Sequence, residues 1–232
     1  MNPLRTLLKV NAAFWTEDRS LTALLVYLMV NVFVLPPMTL SRSGEIINAV
    51  IFSMILVSGL VAVAARTHLK VLIVLLASVT IIVHWLDLVS KSVNLEVADI
   101  ILSMFSWSAL AALVLWHVFK EGHVSLHRIQ GAITVYVLIG LIWSSAYHLI
   151  YIFDSVAFIF PLHQNANESI NLRFVYFSYE TLTTLGFGDI IPMNPVAKSL
   201  VMVEGLTGQL FPAIMITRLV SLEIESRKTR MT

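Results

Sequence analysis

The sequence predicts an all-α membrane protein: six transmembrane helices, with a short re-entrant helix and a glycine-bearing loop between helices 5 and 6. Three observations lead there. The 232 residues are 58% hydrophobic and 12% charged, with a mean hydropathy of +0.85; a soluble domain carries about twice that charged share. Apolar runs recur at roughly 20-residue length, enough to cross a hydrocarbon core. Between the last two runs lies a polar stretch, Thr181–Asp189, containing two glycines. Irregular backbone is tolerated at membrane depth only where it is buried in protein or lines a water-filled path. The net charge of +1 gives no sign of a nucleic-acid partner, and with no cysteine there are no disulfides.

The elements follow in order. Met1–Ser20 carries Arg5, Lys9, Glu17, Asp18 and Arg19 and lacks a small-residue cleavage site after a short apolar run, so no cleaved signal peptide is expected. It reads as a cytoplasmic segment: an amphipathic surface helix with Leu4, Leu7, Leu8, Val10, Phe14 and Trp15 inward, or a partly ordered tail. The spans are Leu21–Leu40, Ile46–Ala65, Val71–Ser90, Val97–Phe119, Gly131–Phe153 and Pro195–Val220. Pro36-Pro37 ends or bends the first, and Ser41–Gly44 reverses the chain. With the N-terminus inside, the inner segments hold 11 of the 15 lysines and arginines and the outer ones only Arg42, Lys91, Arg173 and Lys198. The basic excess places both termini in the cytoplasm and Thr181–Asp189 on the outer side of a cell membrane.

The loop itself suits cation coordination. A hydroxyl at Thr184 and a run of backbone carbonyls can replace the hydration shell of a K⁺ ion. Pointing successive carbonyls at one axis requires backbone conformations that side chains resist, which Gly186 and Gly188 adopt cheaply. Thr184-Leu185-Gly186-Phe187-Gly188-Asp189 resembles the potassium-channel filter Thr-Val-Gly-Tyr-Gly-Asp, with Leu for Val and Phe for Tyr. Tyr176 to Thr183 resembles the pore helix of prokaryotic members. The resemblance is specific over about 176–220 and architectural elsewhere. It implies a pore helix and selectivity-filter loop, K⁺ held at Thr184, Leu185, Gly186, Phe187 and Gly188, and passive K⁺ conduction rather than an enzyme. One filter per chain implies a homotetramer embedded in lipid. K⁺ is the transported ion, and no cofactor is expected.

The resemblance also implies supporting residues. Glu180 and Asp189 meet behind the filter through a shared proton, and Tyr176, Phe177 and Tyr179 form an aromatic cuff beside Thr183. Phe187 lacks the usual tyrosine hydroxyl, so the filter is expected to distort more easily. Ser169 or Asn171 can cap the pore helix. In the last span Gly208 falls at the family's hinge, Pro212 adds a kink, and Ile216 and Val220 are candidates for an apolar gate or for lipid packing. Glu204 is expected behind the filter, bonded to the pore helix. Asn167-Glu168-Ser169 matches a glycosylation triplet.

Six spans with a pore in the last two resemble the voltage-gated layout, but no Lys or Arg lies between Lys91 and Lys120. The expected domains are therefore residues 1–20, a four-helix bundle without gating charges over 21–128, a pore domain over 129–221 and a short tail over 222–232, with no cytoplasmic ligand-binding domain. His84 and Asp87, three apart, read as a wetted interfacial pair near Lys91, Glu96 and Asp99, with a proton- or ion-sensitive pair as the alternative. Asn31 and Asn48 read as interhelical partners, Trp85, Trp107, Trp116 and Trp143 as packing or interface anchors, and His117, His123 and His127 as part of a solvated linker. Two other functions compete: a non-selective cation channel, and a membrane receptor or scaffold with a vestigial pore. The intact Thr184, Gly186 and Gly188 argue against both.

Overall fold

The computed structural model describes residues 17–34, 42–64, 70–119, 126–161 and 169–231. The N-terminal amphipathic segment, the Pro36-Pro37 bend, His123 and most of the glycosylation triplet lie outside the described residues. The helices are α1 (Glu17–Met29, continued by a π-helical stretch Val30–Val34), α2 (Arg42–Ala64), α3 (Lys70–Ser90), α4 (Val93–Phe119), α5 (Leu126–Phe153), the short α6 (Ile170–Leu182) and α7 (Pro195–Met231). Two-residue strands β1 (Phe158–Ile159) and β2 (Ile191–Pro192) pair antiparallel, with Phe158 opposite Pro192 and Ile159 opposite Ile191.

Among the described residues four helical stretches are long and apolar enough to cross a membrane: Val71–Ser90, Val93–Trp116, Leu126–Phe153 and Pro195–Ile224. Leu21–Val34 and Ser43–Gly59 are shorter apolar helices. Several helices extend beyond the spans expected from the sequence, and two of the extensions have a clear local cause. α4 begins at Val93 because Lys91 takes a left-handed φ of 48°, donates to Asp87 O at 2.9 Å and closes α3, while Ser92 O accepts from Leu95 N and Glu96 N. The result is a tight hairpin with a left-handed residue just past the helix end. α7 runs on to Met231, since 221–231 contains neither Gly nor Pro and is rich in Glu, Arg and Lys.

α4 and α5 pack along their length, and α1 lies against α2 and α5. One apolar core joins Leu24, Leu28, Ile55, Trp107, Leu110, Val114, Val135 and Leu138, reaching Met215 of α7. A second, aromatic core joins Tyr147, Phe158, Phe174 and Phe177 with Ile190 and Ala197. It fixes α6 and the strand pair against α5. Asn31 Nδ2 donates to Asn48 Oδ1 at 2.8 Å, the interhelical bond expected of the pair. The tryptophans divide: Trp107 is buried, Trp85 donates to Ser53 Oγ at 3.1 Å, and Trp116 is exposed.

Candidate functional site

α6 is defined at both ends by side chains. Ser169 caps its start, its hydroxyl accepting from Leu172 N at 3.4 Å. At the other end Thr183 N donates to Tyr179 O at 3.0 Å, and Thr183 Oγ1 donates to the same carbonyl at 2.6 Å. Phe177 points into the aromatic core, 5.1 Å centroid to centroid from Tyr147. Tyr179 donates to Val137 O of α5 at 2.6 Å. That approach requires Gly140, where a Cβ would sit 2.6 Å from the Tyr179 ring. Tyr136 donates to Leu182 O at 3.1 Å, tying the last turn of α6 to α5.

Beyond this anchored end the backbone alternates. Thr184, Gly186 and Gly188 take left-handed φ values of 60°, 58° and 74°. A β-strand points successive carbonyls to opposite sides. Left-handed conformations at every second residue undo that alternation and let successive carbonyls share one side. Among the described residues no heavy atom lies within 4 Å of a Cβ built on Gly186 or Gly188, so conformation rather than space requires glycine there. Thr184 adopts the conformation despite its Cβ, at a cost of about 1–3 kcal/mol. Three bonds hold the start of the loop: Thr184 N to Thr181 O at 3.0 Å, and Leu185 N and Gly186 N to Glu180 O at 2.9 and 3.4 Å. Leu185 and Phe187 are exposed in the single chain.

Behind the loop Glu180 is buried. Its Oε1 accepts from Gly188 N at 3.4 Å, and its Oε2 has no hydrogen-bond partner among the described residues. Burial raises its pKa, an effect that the Tyr176 hydroxyl and Gly188 N–H oppose and that Asp189 reinforces. Asp189 Oδ1 accepts from Ile190 N at 3.0 Å. Tyr176 is exposed in the chain and interacts with both carboxyls, whereas Phe177 and Tyr179 face α5.

On the far side, α7 starts at Pro195 behind Asn194, whose Oδ1 accepts from Ala197 N at 2.7 Å and whose Nδ2 donates to Asp154 Oδ2 at 2.8 Å. With the strand pair and the bond from Met193 N to Ala157 O at 2.7 Å, this closes the far end of the loop onto the end of α5. Glu204 is fully buried one helix-face inward and is bonded to α6, as expected. Its Oε1 lies 2.6 Å from Ser178 Oγ, which is also 2.7 Å from Gly140 O, and Tyr147 OH donates to Oε2. Ser178 has one proton. A carbonyl can only accept, so when that proton goes to Gly140 O the Ser178 contact is completed by a proton on Glu204 Oε1. The chain Tyr147, Glu204, Ser178, Gly140 is then fully satisfied and links α5, α6 and α7.

Gly208, the expected hinge, is also a contact residue. A Cβ there would overlap Leu182 O and lie 2.7 Å from Leu182 C. Pro212 lies inside α7 and withholds the bond that Gly208 O would otherwise accept, leaving a weak point at the contact. Ile216 and Val220, the expected gate, are exposed on one face of α7 in the single chain.

Tyr147, Ser178, Gly140 and the Asp154–Asn194 bond were not marked in the sequence as parts of this site. Asn194-Pro195 did carry a signal, a capping residue followed by proline at the first helical position. Tyr147 and Ser178 carried none, lying 57 and 26 positions from Glu204.

Residues 133–225, from within α5 to the last turns of α7, match the model of a family described as "Ion channel". No curated protein and no solved structure matches the chain. The family match and the four long apolar helices support a membrane ion channel.

Proposed function

We propose that the protein is a potassium-selective channel, a homotetramer in the cell membrane that conducts K⁺ passively through a pore lined by Thr184 to Gly188. The observation that carries this reading is the alternation of left-handed backbone at Thr184, Gly186 and Gly188, in a loop set between two long apolar helices. Four such loops around an axis give stacked rings of carbonyl oxygens. α6 acts as a re-entrant pore helix whose carbonyl end faces the central cavity, where its dipole favours a cation. α1 and α2 complete a six-span subunit, with both termini in the cytoplasm. The exposure of Leu185, Phe187, Leu206, Leu210 and Ile214 in the single chain is what neighbouring subunits and lipid would cover.

The test is reversal potential in proteoliposomes under K⁺ and Na⁺ gradients. A reversal potential that follows the K⁺ gradient supports the reading. One that follows total monovalent cation assigns a non-selective channel, and absence of current assigns a receptor or scaffold.

A further inference from the structure

A cavity of about 410 Å³ lies away from the filter, inside the bundle formed by the first four helices and α5. That volume falls within the range of small-molecule sites. One wall is aromatic: Phe52 stacks on His84 at 4.2 Å and meets Trp107 edge-on at 5.1 Å. The titratable lining is Glu45, Asp87, Glu96 and Asp99 against Lys91, His84 and His148, so carboxyls outnumber the one lysine. Lys91 sits at the rim, exposed and 3.9 Å from Glu45.

The internal pairing is incomplete. His84 Nδ1 bonds Asp99 Oδ2 at 2.9 Å, so the histidine expected to partner Asp87 is turned to the next helix instead. Asp87 Oδ1 is buried and has no hydrogen-bond partner among the described residues. His148 is 5% exposed, and its Nε2 lies 3.2 Å from Glu96 Oε1 but makes no aligned hydrogen bond. A buried acceptor without a donor costs about 1–3 kcal/mol, which a bound donor removes. No group of three or more His, Asp and Glu positioned to hold a metal ion exists among the described residues.

We infer that this cavity binds a small organic monocation, an ammonium or guanidinium-like head donating to Asp87 with its apolar body against Phe52 and Trp107. An aromatic face beside a carboxyl suits such a cation. The cavity wall continues through Ser169, Asn171 and Val175 of the pore helix and its cap, so occupancy bears on the element that carries the filter. The same head group is offered by soluble amines and by the headgroup of phosphatidylethanolamine.

Benzamidinium is the probe, titrated calorimetrically into the full chain in detergent, with benzyl alcohol as the neutral control. The expected result is saturable binding of benzamidinium alone, weakened about tenfold or more by Asp87→Asn and unchanged by Gly186→Ala. Asp87→Asn keeps the volume of the side chain, and a wild-type-like melting curve verifies its fold; Asp99→Asn is a second variant for the same comparison. Repeating the titration in nanodiscs separates the sources. Competition by phosphatidylethanolamine but not phosphatidylglycerol assigns the site to a lipid headgroup, and equal affinity in both assigns it to a soluble cation. No saturable binding, equal binding of benzyl alcohol, or affinity lost in Gly186→Ala while preserved in both aspartate variants would overturn the inference. None of these readouts uses ion flux, so they stand apart from the test of conduction.

Discussion

Gly208→Ala separates a contact from a hinge. If Gly208 served only to soften α7, alanine would stabilise the helix by about 1 kcal/mol per subunit, the propensity difference between the two residues. The contact with α6 predicts the opposite sign. A Cβ on Gly208 overlaps Leu182 O and lies 2.7 Å from Leu182 C and 3.1 Å from its Cα, all backbone atoms that cannot rotate aside. Adding a methyl to a filled core costs about 1–3 kcal/mol, and a backbone obstacle places this case at the upper end. Displacing Leu182 also strains the bond its carbonyl accepts from Tyr136, worth about 1 kcal/mol. Overpacking therefore exceeds the propensity gain, for a net loss of roughly 2 kcal/mol per subunit. Gly205→Ala is the internal control, since a Cβ there meets no atom of the described residues within 4 Å. Thermal unfolding of the purified protein should show Gly208→Ala lowered and Gly205→Ala equal to or above wild type. A Gly208→Ala protein as stable as wild type refutes the contact argument.

The other predictions concern the loop and its supports. Gly186→Ala should abolish K⁺ current while leaving the assembly folded, because its φ of 58° disfavours any Cβ; single-channel recording checks it. Glu204→Gln keeps a donor and an acceptor for Ser178 and Tyr147 and should melt like wild type, whereas Glu204→Ala leaves Ser178 only Gly140 O and strands the Tyr147 hydroxyl, and should lose about 1–3 kcal/mol. A Gln variant as unstable as Ala would mean the carboxyl is ionised. Opening should depend weakly on voltage, since α4 carries no Lys or Arg and each gating charge would supply only about 2.3 kcal/mol per 100 mV; a steep conductance–voltage curve in symmetric K⁺ contradicts this. Glu180→Ala removes the acceptor of Gly188 N and should change the decay of current during sustained opening with little loss of selectivity; wild-type decay would show that this brace is idle.

What could be read in the sequence depended on whether a physical demand restricts residue type. Left-handed backbone at positions 186 and 188 favours glycine, so it leaves a trace; the same conformation at Thr184 falls on a residue of ordinary appearance. Hydropathy located the long apolar helices but not their ends, because it reports where hydrocarbon ends. α7 continues to Met231 in strong helix formers that are too polar to register as span. His84 was assigned to Asp87 by spacing along one helix. The hairpin at Lys91-Ser92 brings Asp99 back alongside, and the nearer oxygen belongs to the next helix. No local pattern encodes that choice, nor the meeting of Tyr147, Ser178 and Glu204.

Those unreadable contacts do a job that apolar packing cannot. Against lipid, one leucine face is nearly as good as another, so dispersion and burial hold helices together without fixing their register. α6 is registered on its neighbours by directional bonds: Tyr136 to Leu182 O, Tyr179 to Val137 O, and Ser178 between Gly140 O and Glu204. Two glycines permit the approach, Gly140 under the Tyr179 ring and Gly208 under Leu182. Each bond contributes only about 0.5–1.5 kcal/mol. Their value lies in position: a shift of α6 by one residue would break all of them at once and carry Glu180 O, the acceptor for Leu185 N and Gly186 N, away from the loop it holds. The geometry of the loop is thus set by polar contacts made one helix away from it.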